Sequence, residues 1–545
     1  MRPLRGDTLS AVTTGAAVFL AGAALLSLEI ASSRVMAPYF GSSLFVWGAL
    51  IGVVLAGLSV GYWLGGIVAD RWGTPLLFVG ILALSGLLVL AIPFVDERLL
   101  DWVVAWDPGP RLNPVAATIA IFGLPSVVLG TVSPLAVKLL AHSLERLGRT
   151  AGRLFAVSTA GSIAGTFATA FFLIPELGTD QLIATLAVVL LAAAAVVALV
   201  ERLALAGVVT LALAGASVGA VVALEPQQAG SVVAASQLQN WSPVYRQRGA
   251  DRGDMGPAEQ YEGFKVLFSK DTRYHRVAVV DDDTTRYLRF DNSYQSGMFL
   301  DDPYETRFQY VDYLHLALAY RPQTERMLVV GLGGGSAPKR MWRDFPSLQI
   351  DAVEIDPEVV DVAYRFFELP RDPRLKVEAQ DGRRYLSRNE GPWDAILLDA
   401  FYADSIPFHL ATREFLQLAQ SRLAPGGVLV TNIIGAVAGK QSRLLRSMLR
   451  TYRSVFPTVS VHPVYGDGDD DPTGVRNVIV VASEGAEPSE EFLLSRWNDV
   501  RRRAPGAPEL ASAIRNRVDR PIPTEDVPVL TDDYAPTDAL LLLFG

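Results

Sequence analysis

The sequence predicts a multi-domain protein made of an all-α transmembrane bundle followed by a doubly wound α/β domain with a small antiparallel β-sheet at its start. Three observations carry this. Half of the 545 residues are hydrophobic and the mean hydropathy is positive, which is unusual for a soluble chain of this length. Ionised side chains are sparse over residues 11–225 and dense over 240–530, so one chain is written for two solvents. Beyond residue 320, short apolar runs alternate with glycine loops and helical stretches, as in a parallel sheet wound by helices.

Crossing about 30 Å of hydrocarbon at about 1.5 Å per residue takes roughly 20 apolar residues. Seven stretches qualify, near residues 11–30, 43–66, 75–95, 114–138, 154–175, 181–200 and 203–224, the last two parted only by Glu201-Arg202. So many long runs in succession argue against the buried helices of a soluble protein. Arg2 and Arg5 before the first run also fit a signal peptide, but further spans follow at once, so a retained first helix is expected. Gly57, Gly61 and Gly65, and again Gly161 and Gly165, recur at helix-packing spacing. Small residues let backbones approach where lipid offers no hydrophobic drive for association. The turn Gly66-Ile-Val-Ala-Asp70-Arg71-Trp72-Gly73 resembles the loop between helices two and three of major-facilitator transporters, although such a turn is also simply a good cytoplasmic hairpin.

A multi-pass cell-membrane protein in contact with the lipid bilayer is therefore expected, and its orientation follows from basic loop residues. With the N-terminus inside, Arg2, Arg5, Arg71, Lys138, Arg146, Arg149, Arg153 and Arg202 are cytoplasmic, against Arg34, Arg98 and Arg111 outside. An odd number of spans then places the second half outside, whereas an enzyme using an intracellular donor belongs in the cytoplasm. The two inferences conflict, and the side stays open.

Composition also excludes. The chain has no cysteine, which removes disulfides, thiolate metal sites and cysteine nucleophiles. The net charge is −9 and no Lys/Arg-rich stretch is present, so nucleic acid is not an expected partner. The five histidines, His275 and His315 among them, are too scattered for a metal site, and none is expected.

Five segments divide the chain: the bundle over 1–225, a Gln/Ser/Ala/Gly-rich linker over 226–260, a small β subdomain with a helix over 261–320, the α/β domain over 321–485 and a C-terminal extension over 486–545. Lys265-Val-Leu-Phe, Arg276-Val-Ala-Val-Val and Arg286-Tyr-Leu-Arg-Phe, broken by the turn Asp281-Asp-Asp-Thr-Thr, predict the small sheet, and a helix is expected over about 304–320. Met327-Leu-Val-Val-Gly331 then reads as a buried parallel strand, followed by Gly331-Leu-Gly333-Gly334-Gly335-Ser336 and the helical Lys339-Arg-Met-Trp-Arg-Asp. Strands at Gln349-Ile-Asp-Ala-Val353, Ala395-Ile-Leu-Leu-Asp399 and Gly427-Val-Leu-Val-Thr-Asn432 complete a Rossmann-like sheet.

Ligands of such sheets bind beyond the carboxyl ends of the strands, where Glu354, Asp381 and Asp399 fall. Gly331, Gly333 and Gly335 let a ligand approach backbone N–H groups, and an acid ending the second strand can accept from both ribose hydroxyls. This holds for NAD and for adenosyl sulfonium ligands alike. The third glycine of the dinucleotide fingerprint would fall at position 336, which is serine, and this lowers NAD.

Tyr274-His275, Phe290-Asp291-Asn-Ser-Tyr-Gln295, the Asp302 to Tyr313 stretch, Gly331 to Ser336, Val353-Glu354-Ile-Asp356-Pro, Asp381-Gly382, Leu397-Leu398-Asp399-Ala400 and Pro425-Gly426-Gly427 together resemble the spermidine/spermine synthase family, over roughly residues 260–485. The resemblance is to its variant fused to a transporter-like membrane segment. It implies a spermidine-synthase/methyltransferase-like fold and a membrane-bound aminopropyltransferase of polyamine biosynthesis. Such an enzyme moves an aminopropyl group from decarboxylated S-adenosylmethionine to putrescine or a related polyamine and releases methylthioadenosine. The amine must attack in line and must first lose its proton. By resemblance Asp399 is the base, Glu354 the ribose-binding acid, Asp381 with Gly382 the adenine-contacting pair and Gln295 a donor-site glutamine. Tyr310, Asp404 and Tyr465 fall on the substrate side. A small-molecule amine partner and a homo-oligomer formed through the soluble half are also implied.

The departures are as specific. The aspartate that holds the donor's amine in this family is replaced by Gly334, the family's Tyr-Gln pair is Tyr274-His275, and its Asp-x-x-Asp-Pro segment is stretched over Asp399-Ala-Phe-Tyr-Ala-Asp404-Ser-Ile-Pro407. A methyltransferase or other transferase using S-adenosylmethionine, and a non-catalytic nucleoside-binding transporter or sensor, stay open. Plainer roles stand beside the chemical ones. Asp399 could cap a helix, Glu354 or Asp356 could complement a helix dipole, and Asp381-Gly382 could be a turn. The run Asp467-Gly-Asp-Asp-Asp-Asp471 reads most simply as a solvated loop, although it could attract polycations.

Overall fold

The computed structural model describes residues 5–40, 44–109, 111–141, 146–223, 232–233, 263–291, 293–401, 406–466, 470–537 and 540. Contacts divide the chain into two units, one of Met1–Gln227 with Lys270–His275 and one of Gln228–Ser269 with Arg276–Gly545. Of the expected linker only Val232–Val233 is described; it forms a two-residue strand, β1, and the remainder lies outside the described residues.

Among the described residues of the first unit, seven helices are long and apolar enough to cross a membrane by length and composition: Thr8–Ala37, Phe45–Trp72, Pro75–Trp106, Leu112–Leu140, Leu147–Leu173, Thr179–Val200 and Ala204–Val222. Several outrun the hydropathy peaks. The third continues through Asp96, Glu97, Arg98 and Asp101, since charged residues end an apolar run without breaking a helix. The fourth and fifth contain wide turns at Ile119–Gly123 and Thr169–Leu173. A Cβ on Gly61 or Gly65 would come within 2.8 Å of Gly130 Cα or Thr131 Cα of the fourth helix, and one on Gly165 would meet Ala23 Cα of the first at the same distance. These glycines are needed for close helix packing. The expected turn over 66–73 is helical through Trp72; in this last turn of the second helix exposed Asp70 pairs with Lys138 at 3.0 Å and Arg71 lies over the Trp72 ring.

The second unit begins with a five-stranded sheet of order β1-β2-β3-β4-β5, with β2 at Phe264–Asp271, β3 at Arg276–Asp281, β4 at Thr285–Phe290 and β5 at Ser293–Phe299. The strand β5 extends the three that the sequence pattern suggests. The helix expected over 304–320 is not continuous; only the short stretches Tyr310–Tyr313 and Leu316–Tyr320 are helical. The backbone before them is engaged elsewhere: Arg307 N–H donates to Gly297 O at 2.9 Å and Thr306 bridges to Met298. Residues 305–307 therefore lie along the edge of β5.

The second sheet has the order β11-β12-β10-β9-β6-β7-β8. It is formed by β6 at Arg326–Val330, β7 at Gln349–Glu354, β8 at Leu375–Ala379, β9 at Trp393–Leu398, β10 at Leu423–Gly435, β11 at Thr458–Pro463 and β12 at Arg476–Ser483. Strands β8, β7, β6, β9 and β10 are parallel, and β12 and β11 close the sheet antiparallel. The strand order runs outward one way from β6 to β7 and β8, then returns to β9 on its other side. The switch point, where such folds bind ligands, falls between β6 and β9. Val329, Ala352, Leu397, Val430 and Val481 line one core, which Leu493, Trp497, Val500, Leu510 and Ile514 of the C-terminal segment also enter. Truncating Trp497, which is fully buried, should cost about 3–5 kcal/mol, so the segment after residue 486 is part of the domain's packing.

Candidate functional site

At the carboxyl edge of the second sheet, the neighbouring strands β8, β7, β6 and β9 deliver, in that order, Asp381, Glu354, the glycine loop and Asp399. Asp399 follows directly on β9, and its backbone N–H donates to Val330 O at 2.9 Å, while Gly331 N–H donates to Val353 O at 2.9 Å. The loop between them needs glycine for two reasons. Gly331, Gly333 and Gly335 have φ of 94°, 53° and 74°, and a Cβ on Gly331 would meet Ala400 Cα at 2.8 Å. The loop and Asp399 are thus in direct backbone contact.

Glu354 is buried and held by that loop: Leu332 N–H donates to Oε2 at 3.0 Å and Asp356 N–H to Oε1 at 3.1 Å. Burial pushes its pKa up, against the pull of these two N–H groups. Asp356 itself caps the helix Pro357–Phe366, accepting from Glu358 N–H, so the dipole-complementing role falls to it.

Asp399 is gripped at both oxygens. Tyr310 Oη donates to Oδ2 at 3.2 Å and Asn432 Nδ2 donates to Oδ1 at 2.9 Å. Burial pushes its carboxyl up to about 6 despite both donors, and burial beside this carboxylate keeps the Tyr310 hydroxyl well above its ordinary value. Asp381 caps the helix Gly382–Arg388 through Arg384 N–H and pairs with His409 Nε2 at 2.9 Å. The His409 contact holds its carboxyl below the usual range. Gly382 packs on Val330 at the end of β6.

The β5 strand lies against the glycine loop. Ser296 Oγ accepts from Gly334 N–H at 2.9 Å, and the backbone oxygen of Gln295 is 4.0 Å from where a Cβ of Gly333 would be. A side chain at Gly334 would meet the Phe367 ring at 2.9 Å and Ser296 at 3.0 Å. Tyr465 lies under the Arg476 guanidinium at 4.3 Å. Asp404 lies outside the described residues, as do 467–469 of the acidic run.

Residues 308–466 of this arrangement match the Spermine/spermidine synthase domain. That match lies within the C-terminal half, and relatives that share it are named as transferases. A polyamine aminopropyltransferase of Vibrio vulnificus (strain CMCP6) is 40% identical over 160 residues, 28% of this chain and 52% of that protein. An eEF1A lysine and N-terminal methyltransferase of Homo sapiens is 35% identical over 153 residues, 26% of this chain and 21% of that protein. The chain thus spans about half the length of the first relative and about a fifth of the second. A solved structure of a probable spermidine synthase from Corynebacterium glutamicum ATCC 13032 aligns at 20% identity with a TM-score of 0.38, covering 44% of this chain and 94% of that one.

The sequence pattern does not announce four residues at the site: Ser296, Asn432, Asn477 behind it, and His409. Ser296 follows the Gln295 of a recognised motif and could have been found there. The others lie 28 to 45 residues from their partners, and no local pattern points to them.

Proposed function

We propose that the chain is a membrane-anchored aminopropyltransferase that moves an aminopropyl group from decarboxylated S-adenosylmethionine to putrescine or a related polyamine. The observation that carries this is the Asp399 carboxylate, fixed by Tyr310 and Asn432 beside a glycine loop that Glu354 also holds. In the proposed reaction the nitrogen lone pair of the acceptor attacks the carbon next to the sulfonium. The C–S bond breaks, sulfur takes its electron pair to become the neutral thioether of methylthioadenosine, and Asp399 takes the amine proton. Glu354 would receive the ribose hydroxyls, Asp381 with Gly382 and Gln295 would flank the donor, and Tyr310, Asp404 and Tyr465 would face the acceptor. A carboxylate raised to about 6 suits a base working near neutrality.

One observation favours a second reading. The carboxylate that would hold the donor's amine is absent at Gly334, and Phe367 and Ser296 fill its place. S-adenosylmethionine carries its own carboxylate beside its amine and needs no such partner, so methyl transfer is the alternative. Incubating the purified chain with each donor and a series of diamines, then weighing the products, separates the two. A lengthened polyamine with methylthioadenosine is expected. S-adenosylhomocysteine with a methylated acceptor would overturn the first reading in favour of the second.

The remaining assignments follow the same proposal: a multi-pass membrane location, a small-molecule amine acceptor and self-association through the soluble half. Seven crossings put the two ends on opposite faces, so a cytoplasmic catalytic half requires the N-terminus outside, against the basic-residue count. A reporter fused after Gly545 reads the side directly.

A further inference from the structure

Strands β10 and β12 are apolar runs, Val428-Leu-Val and Val478-Ile-Val-Val, pressed into the core of the α/β domain. Each nevertheless buries one asparagine. Asn432 is 2% exposed and Asn477 9% exposed. An amide taken out of water is unfavourable unless hydrogen-bonded, and nothing in the pairing of β10 with β12 calls for one, since the ladder is built from backbone groups. The two side chains answer each other: Asn477 Nδ2 donates to Asn432 Oδ1 at 3.0 Å, and Asn432 Nδ2 donates to Asp399 Oδ1 at 2.9 Å.

The direction of that chain matters. An amide presents a donor at one end and an acceptor at the other. With its oxygen taken by Asn477, Asn432 can turn only its NH2 group toward Asp399. Were it flipped, a carbonyl oxygen would face a carboxylate oxygen at hydrogen-bond distance, which is repulsive. A residue on β12 with no hydrogen bond of its own to Asp399 therefore adds to the bias that keeps its neighbour's donor toward the charged form.

We propose that Asn432 and Asn477 are positioning residues, an amide relay that locks one oxygen of Asp399 in place and keeps a donor aimed at its charged form. The inference rests on Asp399 being the base only for its consequence on rate; the relay itself acts on the carboxylate. Among the described residues, the groups acting on that carboxyl are Asn432 from β10 and Tyr310 from the helical turn before β6, with burial opposing both. No charged side chain is among them, so a change in its titration reads the two donors directly.

The full chain in detergent, labelled with 13C at aspartate side-chain carboxyls, gives the Asp399 band as the infrared difference between wild type and Asp399→Asn. Its titration is followed in Asn432→Leu and Asn477→Leu, with Asn477→Ser in reserve where the bulkier change impairs folding. Loss of a donor to a carboxylate disfavours its charged form, so the midpoint moves to higher pH, by about one pH unit for Asn432→Leu. A smaller move in the same direction is expected for either Asn477 variant. At a fixed pH below the new midpoint, transfer then falls about tenfold for each pH unit the midpoint has risen, and it recovers at higher pH. A midpoint that moves in Asn432→Leu but stays in both Asn477 variants overturns the relay, and so does a midpoint unmoved in all three. Midpoints that move as expected in a protein that transfers no aminopropyl group would uphold the relay and overturn the proposed function instead.

Discussion

Glycine is used for different purposes in the helical half and the α/β half. In the helical half Gly61, Gly65 and Gly165 sit in regular helix, and what they lack in bulk lets a neighbouring helix come close. In the α/β half Gly331, Gly333 and Gly335 hold positive φ, and the loop they form rests on the backbone of Asp399 and against β5. The first use reports packing, which any helical bundle in lipid requires. The second folds a tight loop, whose N–H groups go to Val353, Glu354 and Ser296, beside a desolvated carboxylate. Chemistry is therefore legible in one half, while the other reveals an architecture without a reaction.

Substitutions can break that contrast. The largest effect is expected for Asp399→Asn, which keeps the shape and the contact to Tyr310 but cannot take a proton. Product formation should fall by about 10²–10⁴-fold, with affinity for methylthioadenosine nearly kept. Smaller and different in kind is the paired experiment Gly331→Ala and Gly161→Ala. The first forces a side chain onto positive φ and against Ala400, at a cost of about 1–3 kcal/mol, and should abolish methylthioadenosine binding measured by calorimetry. The second puts a methyl against the backbone of Phe19 in the first helix. It should lower the thermal stability of the helical half and leave that binding within about twofold, because additivity holds for sites that share no partners. Equal losses of binding in both variants would erase the distinction between the halves.

Much of this organisation is legible in the residues themselves. Hydropathy alone finds seven runs, and the described residues hold seven helices of spanning length, because that length is a property of composition. The strands ending at Val330, Glu354 and Leu398 are apolar runs bounded by glycine or acid, so the edge that gathers Glu354, the glycine loop and Asp399 can be anticipated. What escapes is set by tertiary pairing. The stretch 304–309 has helical composition, but Arg307 gives its N–H to Gly297 of β5 and Glu305 O accepts from Phe299 N–H of the same strand, a competitor that does not appear in local sequence. The strand β5 itself, Ser-Tyr-Gln-Ser-Gly-Met-Phe, lacks a clean alternation. Asn432 and Asn477 are single amides in apolar strands whose meaning comes only from their register, and His409 finds Asp381 across 28 residues.

The central claim is that the carboxylate at the end of β9 is the proton acceptor, and the acid limb of the pH–rate profile tests it most directly. Burial raises Asp399, so its charged form, and with it transfer, should be lost as pH falls through about 6. Below that midpoint kcat/KM should drop about tenfold per pH unit, and in Asp399→Asn the residual rate should show no limb there. A limb that persists unchanged at the same pH in Asp399→Asn would contradict the account, since the titrating base would then be another group.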